Sequence, residues 1–177
     1  GVDLGALKPA LPGKLRTPDR RIHAAPPLFV ADVARLERRL IGHSAPSGDS
    51  LALIGRRATR SSNSWMHNIE RLVRGKNRCT LLMHPADAAA RNLAHGSVVR
   101  ISARVGAVDA ELSVSDEMMP GVVSLPHGWG HGRAGTQLRI AAEHPGVSIN
   151  DLTDDQAIDA LTGNAAFSGV MVTVQAH

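Results

Sequence analysis

The strongest constraint on the fold is an alternation of apolar and polar residues on either side of the Val105-Gly106 pair. Side chains at every second position share one face of a strand, so a period of two indicates a strand with one buried face. The apolar members of the two runs, Ser97–Arg104 and Ala107–Ser115, are Val98, Val99, Ile101, Val108, Ala110, Leu112 and Val114. The pattern predicts a β-hairpin that turns at Gly106, with these residues facing a core.

Short apolar runs elsewhere in the chain predict further strands. These runs are Leu51–Ile54, Cys79–Met83, Val122–Leu125 and Val170–Val174. The second run is apolar along its length, and we therefore expect both of its faces to be buried.

The segments between these strands carry helical patterns. Met66, Ile69, Leu72 and Val73 recur at helical spacing, and a second helix opens at Pro85, with Ala88, Ala89 and Leu93 expected to face inward. Shorter helices are expected near Gln137–Ala142 and within Asp151–Leu161. Six or seven short strands with irregularly placed helices indicate a mainly β fold, a small mixed barrel with helical insertions, rather than a doubly wound sheet.

Residues 1–50 are predicted to precede the main domain. Five of the ten prolines lie within residues 1–30, which indicates an extended arm. Asp32 is placed to cap a short helix, Val33–Leu40, that stops at Gly42. Polar residues 43–50 then form a linker, and we expect the barrel domain to span residues 51–177.

The net charge of +4 is unevenly distributed along the chain. Residues 1–100 hold 17 Lys and Arg against 7 Asp and Glu, whereas residues 101–177 hold 3 against 9. Seven of the basic residues fall within residues 51–78, where Glu70 is the one acid. A basic segment of this kind predicts an anionic partner, such as phosphate, nucleic acid or an acidic protein face, although a solvated basic surface has the same composition.

The remaining composition excludes several classes of protein. Aromatic residues make up only 2% of the chain, which argues against nucleic-acid binding on aromatic stacking platforms. The single cysteine, Cys79, cannot build a disulfide framework or an iron–sulfur site, and we expect it to be a buried, inert thiol. No apolar run approaches the length of a membrane span, and no signal peptide is visible. Because Gly1 is not a natural initiator, we expect the chain to be a fragment.

The loop after the first strand, Gly55–Asn68, carries the most chemistry in the sequence. Its arginines can clamp a phosphate with paired N–H donors, and its Ser and Asn side chains supply neutral donors. Trp65 and His67 offer flat faces to a ring. The loop therefore predicts a site for a ligand with phosphates and a heterocycle; the competing interpretation is a solvated loop with a half-buried tryptophan.

The motifs of residues 51–174 follow one another in a recognisable order. A strand ending in Gly-Arg leads to the polar loop with Trp and His, then to His-Pro-x-Asp-Ala and the hairpin Gly-x-x-Val-x-Ile. Pro-Gly-Val-Val-x-x-Pro, Asn-x-Leu-Thr and a terminal Val-x-Val follow. This order resembles the C-terminal molybdopterin-dinucleotide-binding domain of the molybdenum/tungsten oxidoreductases, which include dimethyl sulfoxide reductases, formate dehydrogenases and periplasmic nitrate reductases.

The resemblance implies a double-psi β barrel whose loops gather around the cofactor. Matched position by position, the cofactor contacts it implies are Gly55, Arg56, Asn63, Ser64, Trp65, His67, His127, Gly128, Asn150 and Ser168. Arg57 and Arg60 are added on their charge alone, because a pyrophosphate favours fixed donors and positive charge.

The resemblance also implies a function. The chain is expected to bind the pterin and guanine nucleotide of molybdopterin guanine dinucleotide, with molybdenum or tungsten held by the rest of a bacterial, cytoplasmic, formate-dehydrogenase-like enzyme. Its expected partners are the remaining domains of that enzyme and a small-molecule substrate, with no nucleic acid and no membrane. An iron–sulfur cluster is possible only outside this chain, and the chain alone is expected to have no turnover.

Two other functions are compatible with parts of the sequence. His127 and His131 have the i, i+4 spacing of a metal site, but the glycines between them disfavour the helix that would align both rings. A non-catalytic basic barrel that binds nucleic acid or a protein partner is the main alternative, and its nucleic-acid affinity would fall steeply with salt.

Overall fold

A computed structural model describes residues 1–41 and 48–177. The chain divides into two compact units, Gly1–His43 and Ser44–His177. Most of the predicted linker, and Gly42 as a helix stop, lie outside the described residues. The domain boundary at residue 50 therefore stays a prediction.

The first unit contains one helix, α1, that is longer than predicted. It spans Pro27–Ile41 rather than Val33–Leu40, because proline fits the first turn of a helix, where no intrahelical donor is needed. The prediction that Asp32 caps the helix is wrong. Asp32 lies inside α1, and its carboxylate accepts two hydrogen bonds of 2.7 Å from the Arg35 guanidinium.

The second unit is a closed barrel of six strands in the order β1-β5-β2-β4-β3-β6. The strands are β1 Leu51–Arg56, β2 Thr80–Met83, β3 Val98–Ser102, β4 Ala107–Val114, β5 Val122–Pro126 and β6 Val170–Ala176. Two parallel pairs, β1 with β5 and β2 with β4, join strands that are distant in sequence, and the remaining pairs are antiparallel. This is a double-psi β barrel, so the predicted mainly β fold of six or seven strands is confirmed, with six strands.

The barrel interior is filled by aliphatic side chains from all six strands. Leu51, Leu81, Ile101, Leu112 and Leu125 are almost fully buried. The predicted hairpin forms, although Val98 is half exposed rather than inward, because the alternation places Val99 and Ile101 on the core face. The prediction that β2 is buried on both faces is also wrong. Only alternate residues of β2 are buried, since its second face is not covered by a further layer.

The helices of the second unit are short and lie between strands. They are α2 Glu70–Val73, α3 Pro85–Ala90, α4 Arg139–Glu143 and a 3₁₀ turn at Ile149–Asp151. On α3 the Ala88 side chain is buried as predicted, whereas Ala89 is exposed. No α-helix forms within Asp151–Leu161, because the carboxylates of Asp154 and Asp159 accept local backbone N–H groups and hold turns instead. Among the described residues, no helix has the length and apolar character needed to cross a bilayer.

Candidate functional site

The candidate site lies at the end of the barrel where β1 and β5 finish. These strands are parallel and end at Arg56 and Pro126, which are paired in register. β2 runs antiparallel to β5, so its first residues and the preceding Arg78 lie at the same end. The topology thus brings loops from distant parts of the sequence to one edge.

The side chain of Arg56 joins these strand ends by hydrogen bonds to backbone carbonyls. Its guanidinium donates to the backbone carbonyls of Ser124 (2.5 Å) and Thr80 (2.7 Å), and more weakly to that of Arg78 (3.4 Å). Burial lowers the pKa of Arg56 from its ordinary value. Most of its donors are therefore used to hold β1, β5 and β2 together.

One cavity, which we call the strand-end cavity, opens over the ends of β1 and β5. It has a volume of about 310 Å³ and is lined by Gly55, Arg56, Arg57, His127, Ile149, Asn150, Thr153, Phe167 and Ser168. These residues come from four separate segments. Together they offer positive charge, amide and hydroxyl groups and an apolar wall, which is the mixture that binds a heterocycle with polar edges.

A second cavity, the histidine cavity, is lined by Trp129 of the segment that also contributes His127 to the strand-end cavity. Its volume is about 300 Å³, and its lining includes three cations and one carboxylate. The lining residues are Arg60, Ser61, His67, Leu72, Val73, Gly75, Lys76, Asn77, Arg78, Trp129, Glu143, His144, Pro145 and Gly146.

A chain of hydrogen bonds forms one wall of the histidine cavity. Ser61 Oγ is 2.5 Å from His67 Nε2, and His67 Nδ1 is 2.7 Å from His131 Nε2. A neutral imidazole has one N–H group, so when His67 donates from Nδ1 to His131, its Nε2 accepts from Ser61 Oγ.

Burial favours the neutral form of both histidines in this hydrogen-bond chain, His67 and His131. Burial is the main cause that lowers the pKa of His67, which is 3% exposed, and the neighbouring His131 and Arg78 lower it further. Burial also lowers the pKa of His131, against a smaller raising effect of the Gly128 backbone. Trp129 covers His67, with ring centroids 4.3 Å apart.

The loops around the two cavities interlock at Gly128. Its φ is +103°, and a Cβ at this position would lie 1.7 Å from the carbonyl oxygen of Asn63. Asn63 itself adopts a left-handed φ of 64°. Only glycine fits here, since both the conformation and the close backbone approach exclude a side chain.

Cys79 is buried behind the histidine cavity, as predicted. Its sulfur accepts a hydrogen bond from the Val147 backbone N–H at 3.3 Å, and burial raises the pKa of the thiol. The thiol therefore supports the loop rather than lining the site.

The structure gathers most of the predicted site residues at this one end. Six of the twelve lie in the strand-end cavity: Gly55, Arg56, Arg57, His127, Asn150 and Ser168. Arg60 and His67 line the histidine cavity, and Gly128 packs against the backbone of Asn63 and Ser64. Trp65 lies in neither cavity and is 86% exposed. Their contacts with a cofactor stay predictions.

Sequence reasoning missed several residues that line the cavities. Trp129, rather than Trp65, packs against a candidate site residue, and Lys76, Arg78 and Phe167 were not singled out. Basic charge was a usable signal for Lys76 and Arg78. His127 lines the strand-end cavity, whereas His131 is hydrogen-bonded to His67 and lines neither cavity. Among the described residues, no group of three or more His, Cys, Asp or Glu side chains is placed to hold a metal ion.

The fold and the site together define a class of protein, a closed β barrel whose loops offer basic, amide and imidazole groups at one end. Residues 51–171 match the profile of the family described as "Molydopterin dinucleotide binding domain". The chain belongs to this family, the C-terminal domain of the molybdopterin oxidoreductases, and the resemblance drawn from its motifs is confirmed.

Individual relatives agree with this assignment. The chain is 29% identical over 161 residues to one subunit of the tetrathionate reductase of Salmonella typhimurium, covering 85% of the chain and 15% of that protein. It is 43% identical over 56 residues to the dimethyl sulfoxide/trimethylamine N-oxide reductase of Rhodobacter capsulatus, covering 32% and 7%. The chain thus spans a small part of the relatives it matches.

A solved structure shows the same fold. Acetylene hydratase from Pelobacter acetylenicus superimposes with a TM-score of 0.61 at 18% identity, covering 81% of this chain and 20% of that one.

Proposed function

We propose that this chain binds the guanine dinucleotide form of molybdopterin at the loop-bearing end of its barrel. The observation that supports the proposal best is the strand-end cavity. Residues 55, 56, 127, 150 and 168, selected from sequence motifs, line a single cavity although up to 113 positions separate them.

The residues present fit such a group. Asn150, Thr153 and Ser168 offer donors and acceptors of the kind that the polar edges of a pterin or guanine need. The Phe167 ring and Ile149 offer apolar contact, and exposed Arg57 supplies positive charge for phosphate. The side chains that close the cavity come from loops, whereas the barrel fixes the positions at which those loops begin and end.

The chain's own role is to bind and orient. When bound, a molybdenum or tungsten cofactor supplies the redox chemistry, and the protein positions it and tunes its surroundings. We propose that the metal contacts and any iron–sulfur cluster belong to further domains of a longer bacterial enzyme. In that case the chain alone has no turnover.

The assignment of the whole protein is a further proposal. The names of the two relatives describe reductases of small molecules, which supports an oxidoreductase acting on a small-molecule substrate. A formate-dehydrogenase-like reaction and a cytoplasmic location stay predictions from sequence. A Cys-x-x-Cys cluster with a cysteine or selenocysteine metal ligand in an upstream sequence would support the first of them.

Asn150 provides the test of the proposed site. Guanosine diphosphate mannose is a suitable probe, because it contains the guanine nucleotide and a pyrophosphate diester. We expect Asn150→Ala to weaken its binding by about tenfold in calorimetry, the effect of losing one good hydrogen bond. Asn164→Ala, an exposed asparagine outside both cavities, is the matched control.

The opposite results would reject the proposal. Equal affinities of the wild type and Asn150→Ala for the probe would show that the strand-end cavity is not part of the binding site. No binding of the probe, combined with DNA binding that weakens steeply with salt, would favour the basic-module alternative.

A further inference from the structure

We propose that the histidine cavity is a phosphate or pyrophosphate site whose occupation is linked to the uptake of one proton by the Ser61–His67–His131 chain. This inference rests on the proposed function, because it assigns the anionic part of the ligand to a cavity that the sequence motifs did not single out.

The charges around the cavity favour an anion. Arg60, Lys76 and Arg78 line it, against the single carboxylate of Glu143. Some of the N–H donors of Arg78 are already used, since its guanidinium donates to the Leu72 carbonyl at 2.9 Å. The remaining positive charge and the N–H groups of the lining are the donors that phosphate oxygens need.

The hydrogen-bond chain has room for one more proton. In the neutral tautomer in which His67 Nδ1 donates to His131 Nε2, Ser61 donates to His67 Nε2. A proton added at His67 Nε2 makes that nitrogen the donor, and Ser61 Oγ then accepts after rotation of its hydroxyl hydrogen alone. No heavy atom has to move, and the proton comes from solvent.

The ligand supplies the driving force for this step. Without an anion, an imidazolium at His67 is buried and lies near Arg78 and the other cations of the cavity, so the neutral form is favoured. An anion in the cavity provides the missing opposite charge and stabilises the imidazolium. Linkage then requires the reciprocal effect, in which protonation strengthens anion binding.

The sign of the pH dependence follows from this cycle. The pKa of the histidine pair is higher with ligand bound than without it, so protons are taken up on binding between those two pKa values. Affinity therefore rises as the pH falls through this interval. Because one proton is involved, the rise is at most about tenfold per pH unit.

Calorimetry with guanosine diphosphate mannose tests the proposal directly. This pyrophosphate diester keeps a fixed charge over about pH 5 to 8, where histidine titrates, so any proton uptake belongs to the protein. Titrations in buffers of different ionisation enthalpy give the number of protons bound. We expect uptake that approaches one proton in the wild type and in His177→Gln, which alters an exposed histidine that lines neither cavity.

His67→Gln removes the group that accepts the proton, and we expect its uptake to vanish. His67 is buried, so this variant can fail to fold, and the wild type provides a second measurement. The ¹⁵N shifts of its histidine rings should show neutral His67 and His131 without ligand and an imidazolium within the pair at saturation.

The outcomes separate the two proposals. Binding of the probe without proton uptake, or rings that stay neutral at saturation, overturns the proton linkage and leaves the proposed function intact. Uptake that disappears in His177→Gln also overturns it. Failure of the wild type to bind the probe overturns both.

Discussion

Arg56 and Arg57 are adjacent arginines that line the same cavity but have different surroundings. The Arg56 guanidinium contacts three backbone carbonyls on β5 and at the start of β2, whereas Arg57 is exposed and has no hydrogen bond to the part of the chain that the structure describes. Replacing each with alanine therefore separates a role in holding the barrel from a role in holding a ligand. We expect Arg56→Ala to unfold more easily and Arg57→Ala to bind ligand less tightly.

The magnitude follows from the contacts of Arg56. A hydrogen bond to a charged group contributes about 1.5–3 kcal/mol, and Arg56 makes two such bonds of good length, to Ser124 and Thr80. Its partial exposure lets water replace part of this interaction. We therefore expect Arg56→Ala to lower the free energy of unfolding by about 3–4 kcal/mol, and Arg57→Ala to change it by less than about 0.5 kcal/mol.

Urea unfolding followed by circular dichroism measures both free energies, and calorimetry with guanosine diphosphate mannose measures the affinities. Arg57→Ala should weaken binding about fivefold to tenfold, as expected for the loss of one phosphate contact. Equal losses of stability in the two variants would refute the reasoning, because they would show that the bonds from Arg56 to the carbonyls do not stabilise the barrel.

The remaining predictions concern the loops around the cavities. Gly128→Ala should destabilise the fold by about 2–4 kcal/mol, because the new Cβ would meet the Asn63 carbonyl; Gly135→Ala has a similar positive φ and open space, so a loss as large in that control would contradict the interlock. The free energy of unfolding should fall as the pH drops below 6.5, since His67 and His131 have lowered pKa values in the fold and the unfolded chain then binds more protons; denaturant titrations in His67→Gln should show a shallower decline. In a Trp65→Phe background the fluorescence comes from Trp129, and probe binding should change it, whereas an unchanged spectrum at saturation would place the ligand away from the histidine cavity. Cys79 should react with iodoacetamide far more slowly in the native chain than in urea, because the thiol is buried and its pKa is raised; equal rates would contradict its packing.

Local patterns predicted the barrel strands well. The alternation in residues 97–115 gave both strands of the hairpin, and the apolar runs gave the other four within two residues of their observed ends. The strands can be predicted in this chain because one face of each strand packs against the core. Apolar residues therefore recur at every second position of the sequence. The error at Val98 arose because it was grouped with Val99 and Ile101, although a period of two places those two residues on one face and Val98 on the other.

The site was only partly predictable from the sequence. The motifs around Gly55 and Asn150 identified one cavity. No local pattern predicts, however, that the Arg56 guanidinium donates hydrogen bonds to backbone carbonyls 24 and 68 positions away. The His67–His131 bond likewise joins residues 64 positions apart. Trp65 and Trp129 both lie in loops rich in small residues, and tertiary packing alone distinguishes the exposed ring from the one against His67.

The position of β6 has a consequence for biosynthesis. This strand pairs with β1 on one side and β3 on the other, so it is the last strand needed to close the open sheet into a barrel. Ribosomes make it after the five other strands, and until it emerges the edges of β1 and β3 lack their neighbour. The barrel end that carries the strand-end cavity is therefore complete only after β6 has paired with both β1 and β3.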